Sequence, residues 1–268
     1  MSFRNMQRIL ALALGFLSGA AFANDVVRLG GVGSVTPLLE FLAQDFHAAH
    51  PALSAQISPV PLGTAGSLRA LAAGKLDIAI TGRMAKEGDP GVAKAWIRTP
   101  LVLASKDGAH RPDISLKALS EIYAGRLGQW DDKKPISLIL RGANESETTA
   151  LKALSDEVAK AVELALQRPG MTLAENDLDA LMLLEKTPGS LGTTSLGLLQ
   201  SKKSSLKVFS VEGNSPTVKN LVNSRYPWFR RYWLVTPAEP GPTGKQFLGY
   251  LQTDRARKII EKYGYLPE

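Results

Sequence analysis

The sequence of 268 residues contains no cysteine. This absence excludes a disulfide framework, a thiol nucleophile and a lipid-anchored cysteine at a cleavage site. The three histidines are scattered, and the placement of His47 and His50 just before Pro51 is typical of a helix end rather than of a zinc site. We therefore expect neither a bound metal nor a cofactor.

The common catalytic motifs are missing as well. There is no Walker A sequence, and no G-x-G-x-x-G follows the first predicted strand. Residues 192–197, GTTSLG, are one residue too long for the G-x-S-x-G pentapeptide of serine hydrolases. We predict that the protein is not an enzyme. A secreted phosphatase stays as an alternative, although it would need a metal or a nucleophile that the sequence does not offer.

The first 23 residues have the form of a signal peptide. Arg4 and Arg8 give a positive start, residues 9–17 are apolar, and residues 21–23 (AFA) have the small–x–small form of a cleavage site. The apolar run is shorter than the roughly 20 residues that a spanning helix needs. We predict cleavage before Asn24, secretion to a bacterial periplasm, and no membrane insertion of the mature chain.

The charge of the chain is mildly basic. The formal net charge is +7, and two of the positive charges belong to the leader. No run of lysine and arginine is interleaved with aromatic residues, so a nucleic acid is not an expected partner. A weak positive field suits the attraction of small anions better.

Predicted strands and helices alternate along the mature chain. This alternation predicts an α/β fold with largely parallel sheets. Thr36 and Ser115 are predicted N-caps, and Asp177 is predicted to begin a helix. The periodicity also predicts one long helix that carries Leu151 to Ala165 and one last helix from about Thr243. The predicted strands are residues 26–29, 54–60, 76–80, 96–105, 135–140, 206–211 and 232–236, and residues 188–197 are predicted to be a loop followed by a strand.

Residues 62–83, LGTAGSLRALAAGKLDIAITGR, carry two polar, glycine-bearing ends one short helix apart. Ser67 is predicted to cap that helix after a glycine-rich turn, and Gly74 to end it in a left-handed conformation. The following strand ends in Thr81, Gly82 and Arg83. Free backbone N–H groups, hydroxyls and a guanidinium in such places suit an anion.

Three strand-to-helix junctions share this chemistry. One helix N-terminus stabilises an anion by about 0.3–1 kcal/mol and one hydrogen bond to a charged group by about 1.5–3 kcal/mol, whereas micromolar binding needs about 8 kcal/mol. Only convergence of the junctions on one small oxyanion would suffice, and each taken singly is better interpreted as an ordinary N-cap that satisfies its own helix. The candidate ligand-binding residues are Ser34, Val35, Thr36, Gly66, Ser67, Thr81, Gly82, Arg83, Arg141, Ser146, Glu147 and Thr148.

Short patches along the chain also carry a family resemblance. They are residues 33–37 (GSVTP), 63–83, 122–130 (IYAGRLGQW), 136–148, 188–192 (PGSLG), 226–230 (YPWFR) and 264–267 (GYLP). Each patch is weak alone, but their order and spacing resemble those of the phosphate-specific periplasmic binding proteins, the soluble receptors of ABC uptake systems. The resemblance covers nearly the whole mature chain.

The resemblance implies a type II periplasmic-binding fold, with two α/β lobes, two crossover strands and a cleft between the lobes. The crossovers would lie near residues 101–105 and 232–236, with residues 24–104 and 234–268 in lobe 1 and residues 105–233 in lobe 2. It further implies a monomer that binds inorganic phosphate or a related oxyanion, closes by a hinge motion and delivers its ligand to an ABC permease. A sensing or protein-interaction module on the same fold is the alternative.

Two departures from the family pattern bear on the site. Glu147 stands where the family commonly has the glycine of Ser-Gly-Thr, and Gly82 stands where some members keep an aspartate that accepts the proton of hydrogen phosphate. Glu147 then has three open roles: a replacement acceptor that favours protonated phosphate over sulfate, an outward-facing residue that complements the helix dipole, or a residue that has disabled the site. Arg141 has two, an anion contact or a structural pair with Glu145.

Overall fold

The computed structural model describes residues 25–107 and 112–268. The predicted signal peptide and His110 lie outside the described residues. Within the described ranges no helix combines the length and the hydropathy that a membrane span requires.

Strands and helices alternate as the sequence predicts. The helices are α1 (Thr36–Ala49), α2 (Gly63–Ala72), α3 (Leu116–Tyr123), α4 (Ser146–Lys152), α5 (Asp156–Leu166), α6 (Asp177–Lys186), α7 (Leu196–Lys202), α8 (Val218–Val222), α9 (Pro242–Tyr250) and α10 (Asp254–Lys262). The strands are β1 (Asp25–Gly31), β2 (Leu53–Ile57), β3 (Ile78–Thr81), β4 (Val92–Ser105), β5 (Asp113–Ile114), β6 (Ser137–Arg141), β7 (Thr172–Ala174), β8 (Ser190–Ser195), β9 (Lys207–Val208), β10 (Ser210–Val211), β11 (Phe229–Thr236) and β12 (Leu266–Pro267).

The main sheet has the strand order β2-β1-β3-β11-β4-β8-β6-β7. Its two outer parts are parallel: β1 pairs with β2 and β3, and β6 pairs with β7 and β8. The central strand β4 is antiparallel to β11 as far as Pro100 and antiparallel to β8 from Leu101 to Ala104. β4 therefore joins the two parallel parts, and the α/β prediction is confirmed.

Apolar side chains form separate cores on the two parts of the sheet. One core contains Phe46, Tyr232 and Phe247, and another contains Tyr123 and Phe209. Burial of such clusters is the main favourable term in folding. The predicted boundaries of the lobes, residues 24–104 with 234–268 and residues 105–233, stay a prediction.

The starts of α1 and α2 differ from the prediction. Val35, not Thr36, is the N-cap of α1, because a 3₁₀ turn over Gly33–Val35 leads straight into the helix. Ser67 does not cap α2 but lies inside it, and its hydroxyl donates to the carbonyl of Gly63 one turn earlier. Gly74 has the predicted left-handed backbone, with φ of 65°.

Two predicted helices are each divided in the structure. The helix expected over Leu151 and Ala165 is α4 followed by α5, because the Ser155 hydroxyl accepts from the backbone N–H of Val158 and begins a new helix. The helix expected from about Thr243 is α9 followed by α10, which Thr253 caps in the same way. In both cases a side-chain N-cap lies within the stretch of periodic apolar residues and begins a second helix there.

Candidate ligand-binding site

The guanidinium of Arg230 is the centre of a buried polar cluster. Arg230, Tyr232 and Leu234 lie on the inner face of β11, because alternate residues of a strand share a face. The Arg230 side chain is 2% exposed. Its Nη2 donates to the Ser146 hydroxyl at 3.0 Å, and its Nη1 donates to Oδ1 of Asp177 at 3.3 Å. Arg230 thereby joins the starts of α4 and α6 to β11.

The parallel strands β6 and β7 bring α4 and α6 to this cluster. β6 ends at Arg141 and β7 at Ala174, and each leads into a helix after a short turn. The carboxyl ends of neighbouring parallel strands meet at one edge of a sheet, which is where α/β proteins bind ligands. Asn176 caps α6 by accepting from the N–H groups of Leu178 and Asp179, both at 3.0 Å.

The loops after β1 and β3 approach the same two helix starts. A β-carbon on Gly82 would overlap the Ser146 hydroxyl, so the contact requires glycine. The N–H of Gly82 donates to Oγ1 of Thr64, in the first turn of α2, at 3.0 Å. A β-carbon on Gly33 would lie 3.4 Å from the backbone nitrogen of Asp177. These loops therefore pack directly on α4 and α6.

Ser34 lies in the first of these loops and is fully buried. Its carbonyl accepts from the hydroxyl of Tyr265 at 2.8 Å, which fixes the backbone. Its own hydroxyl has no hydrogen-bond partner among the described residues, and neither has the hydroxyl of Tyr232, which lies beside Ser34 and Ser195. Burial raises the pKa of Tyr232, so this hydroxyl stays protonated. Two hydroxyls that can each donate or accept a hydrogen bond thus lie side by side in the cluster.

Glu147, the second residue of α4, points into the cluster. Its side chain is 2% exposed, and Oε2 lies 3.7 Å from Nη1 of Arg230. Neither carboxylate oxygen has a partner at good hydrogen-bond geometry among the described residues, although the nearby Thr193 hydroxyl works to lower the pKa of Glu147. Burial and the charge of Asp177 raise the pKa of Glu147 to about 8, and the charges of Arg230 and Arg141 offset this only in part. The interpretation of Glu147 as an outward-facing residue is wrong.

Arg141 and Asp177 complete the set of buried charges. Nη2 of Arg141 donates to Glu145 at 2.9 Å and Nη1 to the carbonyl of Ala174 at 3.3 Å, whereas Nε has no partner among the described residues. The structural pair with Glu145 therefore exists, and the Arg141 charge still acts on Asp177. Burial works to raise the pKa of Asp177, but the charges of Arg230 and Arg141 outweigh it and the pKa is lowered. Asp177 is the ionised carboxylate of the cluster.

Residues 18–255 match the family model described as a PBP superfamily domain. The match spans most of the chain. The chain belongs to the PBP superfamily.

One curated relative of this PBP superfamily member is the phosphate-binding protein PstS of Bacillus subtilis (strain 168). It is 23% identical over 255 residues, which cover 93% of this chain and 83% of the relative. The identity is low, but the aligned region includes most of both chains.

Two solved structures have the same fold as this PBP superfamily member. One, from Clostridium perfringens, is described as a phosphate ABC transporter substrate-binding protein and holds bound phosphate; its TM-score is 0.76 at 18% identity, over 91% of this chain and 100% of that one. The other is an ABC-type phosphate transport receptor from Vibrio cholerae, with a TM-score of 0.65 at 19% identity over 90% and 99% of the chains. The two-lobed α/β architecture that the resemblance implied is confirmed.

Five of the predicted ligand-binding residues lie in or against the Arg230 cluster. They are Ser34, Gly82, Arg141, Ser146 and Glu147. They come from separate loops, so folding brings three of the predicted polar stretches together. Their role in binding a ligand stays a prediction.

The other predicted residues have hydrogen-bond or ion-pair partners close by in the chain, or lie in a helix or in the apolar core. The Thr81 hydroxyl donates to the carbonyl of Arg83 at 2.9 Å, and the Thr148 hydroxyl to that of Arg141 at 3.1 Å. Arg83 itself is paired with Asp89 at 2.6 Å. Val35 belongs to the apolar core, Thr36 begins α1, and Gly66 and Ser67 lie within α2.

Sequence reasoning missed Arg230, Asp177 and Thr64 as members of the cluster. Arg230 could have been found, because it falls on the apolar face of a strand whose alternate residues are buried. Thr64 is the α2 hydroxyl that contacts Gly82, whereas the sequence pattern indicated Ser67 as the cap and the candidate binding hydroxyl of this helix. No sequence signal separates Asp177 from an ordinary first-turn acid that complements the helix dipole.

Proposed function

We propose that the protein is a periplasmic solute receptor that binds phosphate, or a similar tetrahedral oxyanion, between its two lobes and delivers it to an ABC permease. The observation that carries the proposal is the buried Arg230 guanidinium, which meets the Ser146 hydroxyl beside Arg141. The PBP superfamily membership and the similarity to PstS support it. As part of the same proposal, the receptor is a monomer and binds no nucleic acid.

The chemistry of the cluster suits an oxyanion. A guanidinium is a planar fork of donors that matches the geometry of carboxylate and phosphate oxygens. Around it, Ser34 and Tyr232 offer hydroxyl donors, and Nε of both Arg141 and Arg230 is buried without a hydrogen-bond partner among the described residues. Hydrogen bonds to a charged group contribute about 1.5–3 kcal/mol each, so three or four reach the roughly 8 kcal/mol of micromolar binding.

A ligand reaches such a buried cluster only if the two lobes separate. The proposed hinge lies in β4 and β11, which pair with each other in the middle of the sheet. Opening there would move Gly82 and Thr64 away from Ser146 and admit the ligand. Closure of two domains around a ligand is a common hinge motion.

A thermal-shift screen of the processed, secreted protein against phosphate, sulfate, arsenate and molybdate tests the proposal. A ligand at one hundred times its Kd stabilises the native state by about 2.7 kcal/mol. We expect phosphate or a related oxyanion to raise Tm and chloride at the same ionic strength to leave it unchanged. A flat response to all four anions would contradict the proposal.

The two alternatives give different results in further assays. A phosphatase would turn over a chromogenic phosphate ester, and we expect no turnover. A sensing or protein-interaction module would show no anion affinity and would instead co-purify with a protein partner. Anion binding together with absence of turnover separates the receptor from both.

A further inference from the structure

We infer that Tyr265 is a positioning residue of the oxyanion site: anchored to β4 through Thr99, it holds the backbone of Ser34 so that the Ser34 hydroxyl faces the Arg230 cluster. The inference rests on the proposed function, because it takes Ser34 as a residue that contacts the bound oxyanion. Tyr265 itself acts through Ser34 and does not contact the ligand.

The first step is a hydrogen bond between two residues that are far apart in the chain. The Tyr265 hydroxyl donates to the Ser34 carbonyl at 2.8 Å, across 231 positions of sequence. Both residues are buried, and burial raises the pKa of Tyr265, so the hydroxyl keeps the proton that it donates. Since that proton is used on Ser34, Tyr265 has none to give to a ligand.

The second step is the need for such a tether. Ser34 is the middle residue of a 3₁₀ turn of only three residues, Gly33–Val35, and the hydrogen bonds of a 3₁₀ turn have poorer geometry than those of an α-helix. The turn borders the cluster, since a β-carbon on Gly33 would lie 3.4 Å from the backbone nitrogen of Asp177. The Ser34 hydroxyl lies beside that of Tyr232. A small shift of this turn would therefore move the Ser34 hydroxyl relative to the cluster.

The third step is that the Tyr265 ring is held by two neighbours. A β-carbon on Gly197, in the first turn of α7, would overlap the ring, so this contact requires glycine. The ring of Tyr232 packs edge to face against it, with 6.3 Å between the ring centroids. Because the hydroxyl lies on the long axis of the ring, a flip of the ring leaves it in place. The two contacts therefore fix the point from which the hydroxyl donates.

The fourth step is the anchor on β4. The Thr99 hydroxyl donates to the carbonyl of Gly264 at 2.7 Å and accepts from the N–H of Gly197 at 3.0 Å. Thr99 is fully buried, so water does not compete for either hydrogen bond. One hydroxyl thus connects the residue before Tyr265 with the glycine against which the Tyr265 ring packs.

The segment that follows Tyr265 is fastened to the same part of the sheet. β12 pairs antiparallel with β4. The Glu268 carboxylate forms ion pairs with Arg231 of β11 at 2.7 Å and with Arg98 of β4 at 3.3 Å. Since β4 and β11 are the strands of the proposed hinge, Tyr265 holds Ser34 in a fixed place relative to that hinge.

Isothermal titration calorimetry with phosphate tests the inference on the wild type, Tyr265→Phe, Ser34→Ala and the double variant. Tyr265→Phe keeps the ring that packs on Gly197 and removes only the hydroxyl. We expect each single variant to lose affinity by about tenfold, the worth of about one hydrogen bond to a charged group. The double variant should bind as Ser34→Ala does, because the position of Ser34 no longer matters once its hydroxyl is gone.

The double variant distinguishes positioning from a merely structural role. Losses that multiply to about a hundredfold would overturn the inference, since Tyr265 would then act independently of Ser34. Wild-type affinity in Tyr265→Phe would overturn it as well, and either result leaves the proposed function standing. Absence of phosphate binding by the wild type would overturn both.

Tyr250→Phe is the matched control. The Tyr250 hydroxyl donates to Asp45 of α1 at 2.8 Å, and Asp45 is not part of the Arg230 cluster. Both tyrosine variants lose one hydrogen bond of the folded state, so both should have a lower Tm than the wild type. We expect only Tyr265→Phe to lose affinity, and an equal loss in both variants would overturn the inference.

Thr99→Val and Thr99→Ser test the anchor without changing Tyr265. Valine has nearly the shape of threonine but no hydroxyl, whereas serine keeps the hydroxyl. We expect Thr99→Val to bind phosphate several-fold more weakly and Thr99→Ser to bind it as the wild type does. Unchanged affinity in Thr99→Val would overturn the inference.

Discussion

Gly82 and Ser146 touch across the Arg230 cluster so closely that a β-carbon at position 82 would overlap the Ser146 hydroxyl. The two residues belong to different parts of the chain, the turn after β3 and the first turn of α4. The hydroxyl that Gly82 touches is the one that accepts from Arg230. This contact therefore connects the loop of one part of the molecule to the polar cluster of the other.

Gly82→Ala tests whether this contact forms part of the ligand-binding state. The added methyl group must displace the Ser146 hydroxyl from Arg230, so we expect phosphate affinity to fall by at least about tenfold, the worth of about one hydrogen bond to a charged group. Calorimetry measures it. Gly128→Ala is the control, because a β-carbon there meets no atom within 4 Å. Equal loss of affinity in both variants would contradict the expectation.

Arg230→Gln should abolish phosphate binding and destabilise the protein. It leaves Asp177 buried without its arginine, and breaking a buried ion pair typically costs about 3–5 kcal/mol. The neighbouring Arg231→Gln is the control, because Arg231 lies on the outer face of β11, partly exposed and paired with Glu268. Its loss should cost about 0–1 kcal/mol and leave affinity unchanged. Urea unfolding and calorimetry measure both effects, and wild-type affinity in Arg230→Gln would refute the assignment of Arg230.

The variants Ser34→Ala and Ser67→Ala test which of these two predicted serines contributes a hydroxyl to the ligand. The Ser34 hydroxyl is buried without a partner among the described residues, whereas the Ser67 hydroxyl is already satisfied by Gly63 within α2. We expect Ser34→Ala to weaken phosphate binding by about tenfold or more at unchanged stability of the free protein, and Ser67→Ala to leave affinity as it is. The reverse order of the two affinities would show that α2 contributes Ser67 to the ligand.

The stability of the free protein should depend on pH through Glu147. The folded-state pKa is raised to about 8, so the folded protein binds more protons than the unfolded chain between the ordinary glutamate pKa of about 4.3 and that value. Stability contributed by neutral Glu147 is thus complete below about pH 4 and is lost as pH rises towards 8. Glu147→Gln removes this loss, so its Tm should exceed that of the wild type at pH 8, and the difference should shrink at pH 5. If thermal melts gave the same difference in Tm between Glu147→Gln and the wild type at both pH values, the raised pKa of Glu147 would be contradicted.

Local sequence signals predicted much of the fold. Apolar periodicity placed most of the strands and helices, and Ser115 caps α3 as predicted by accepting from Ala118 at 3.1 Å. The same local rules failed where a cap interrupts an apolar period, as at Ser155, since periodicity alone does not register a single hydrogen bond. They also could not decide between Ser67 and Thr64, because the choice depends on how Gly82 packs against α2.

The candidate site was less predictable than the fold. The stretches that form it were predicted, but its central residue, Arg230, is distant in sequence from all of them and is recruited by strand pairing between β11 and β4. The burial of Glu147 depends on the same long-range packing. Hydrogen bonding between distant loops is a property of the folded chain, and residue spacing does not contain it.

A crystal structure of the protein grown with phosphate tests the central claim most directly. The account predicts one phosphate with oxygens about 3 Å from the Arg230 guanidinium and the Ser146 hydroxyl, next to the Glu147 carboxyl group. Phosphate bound elsewhere on the molecule, with the Arg230 cluster unchanged at saturating concentration, would contradict it.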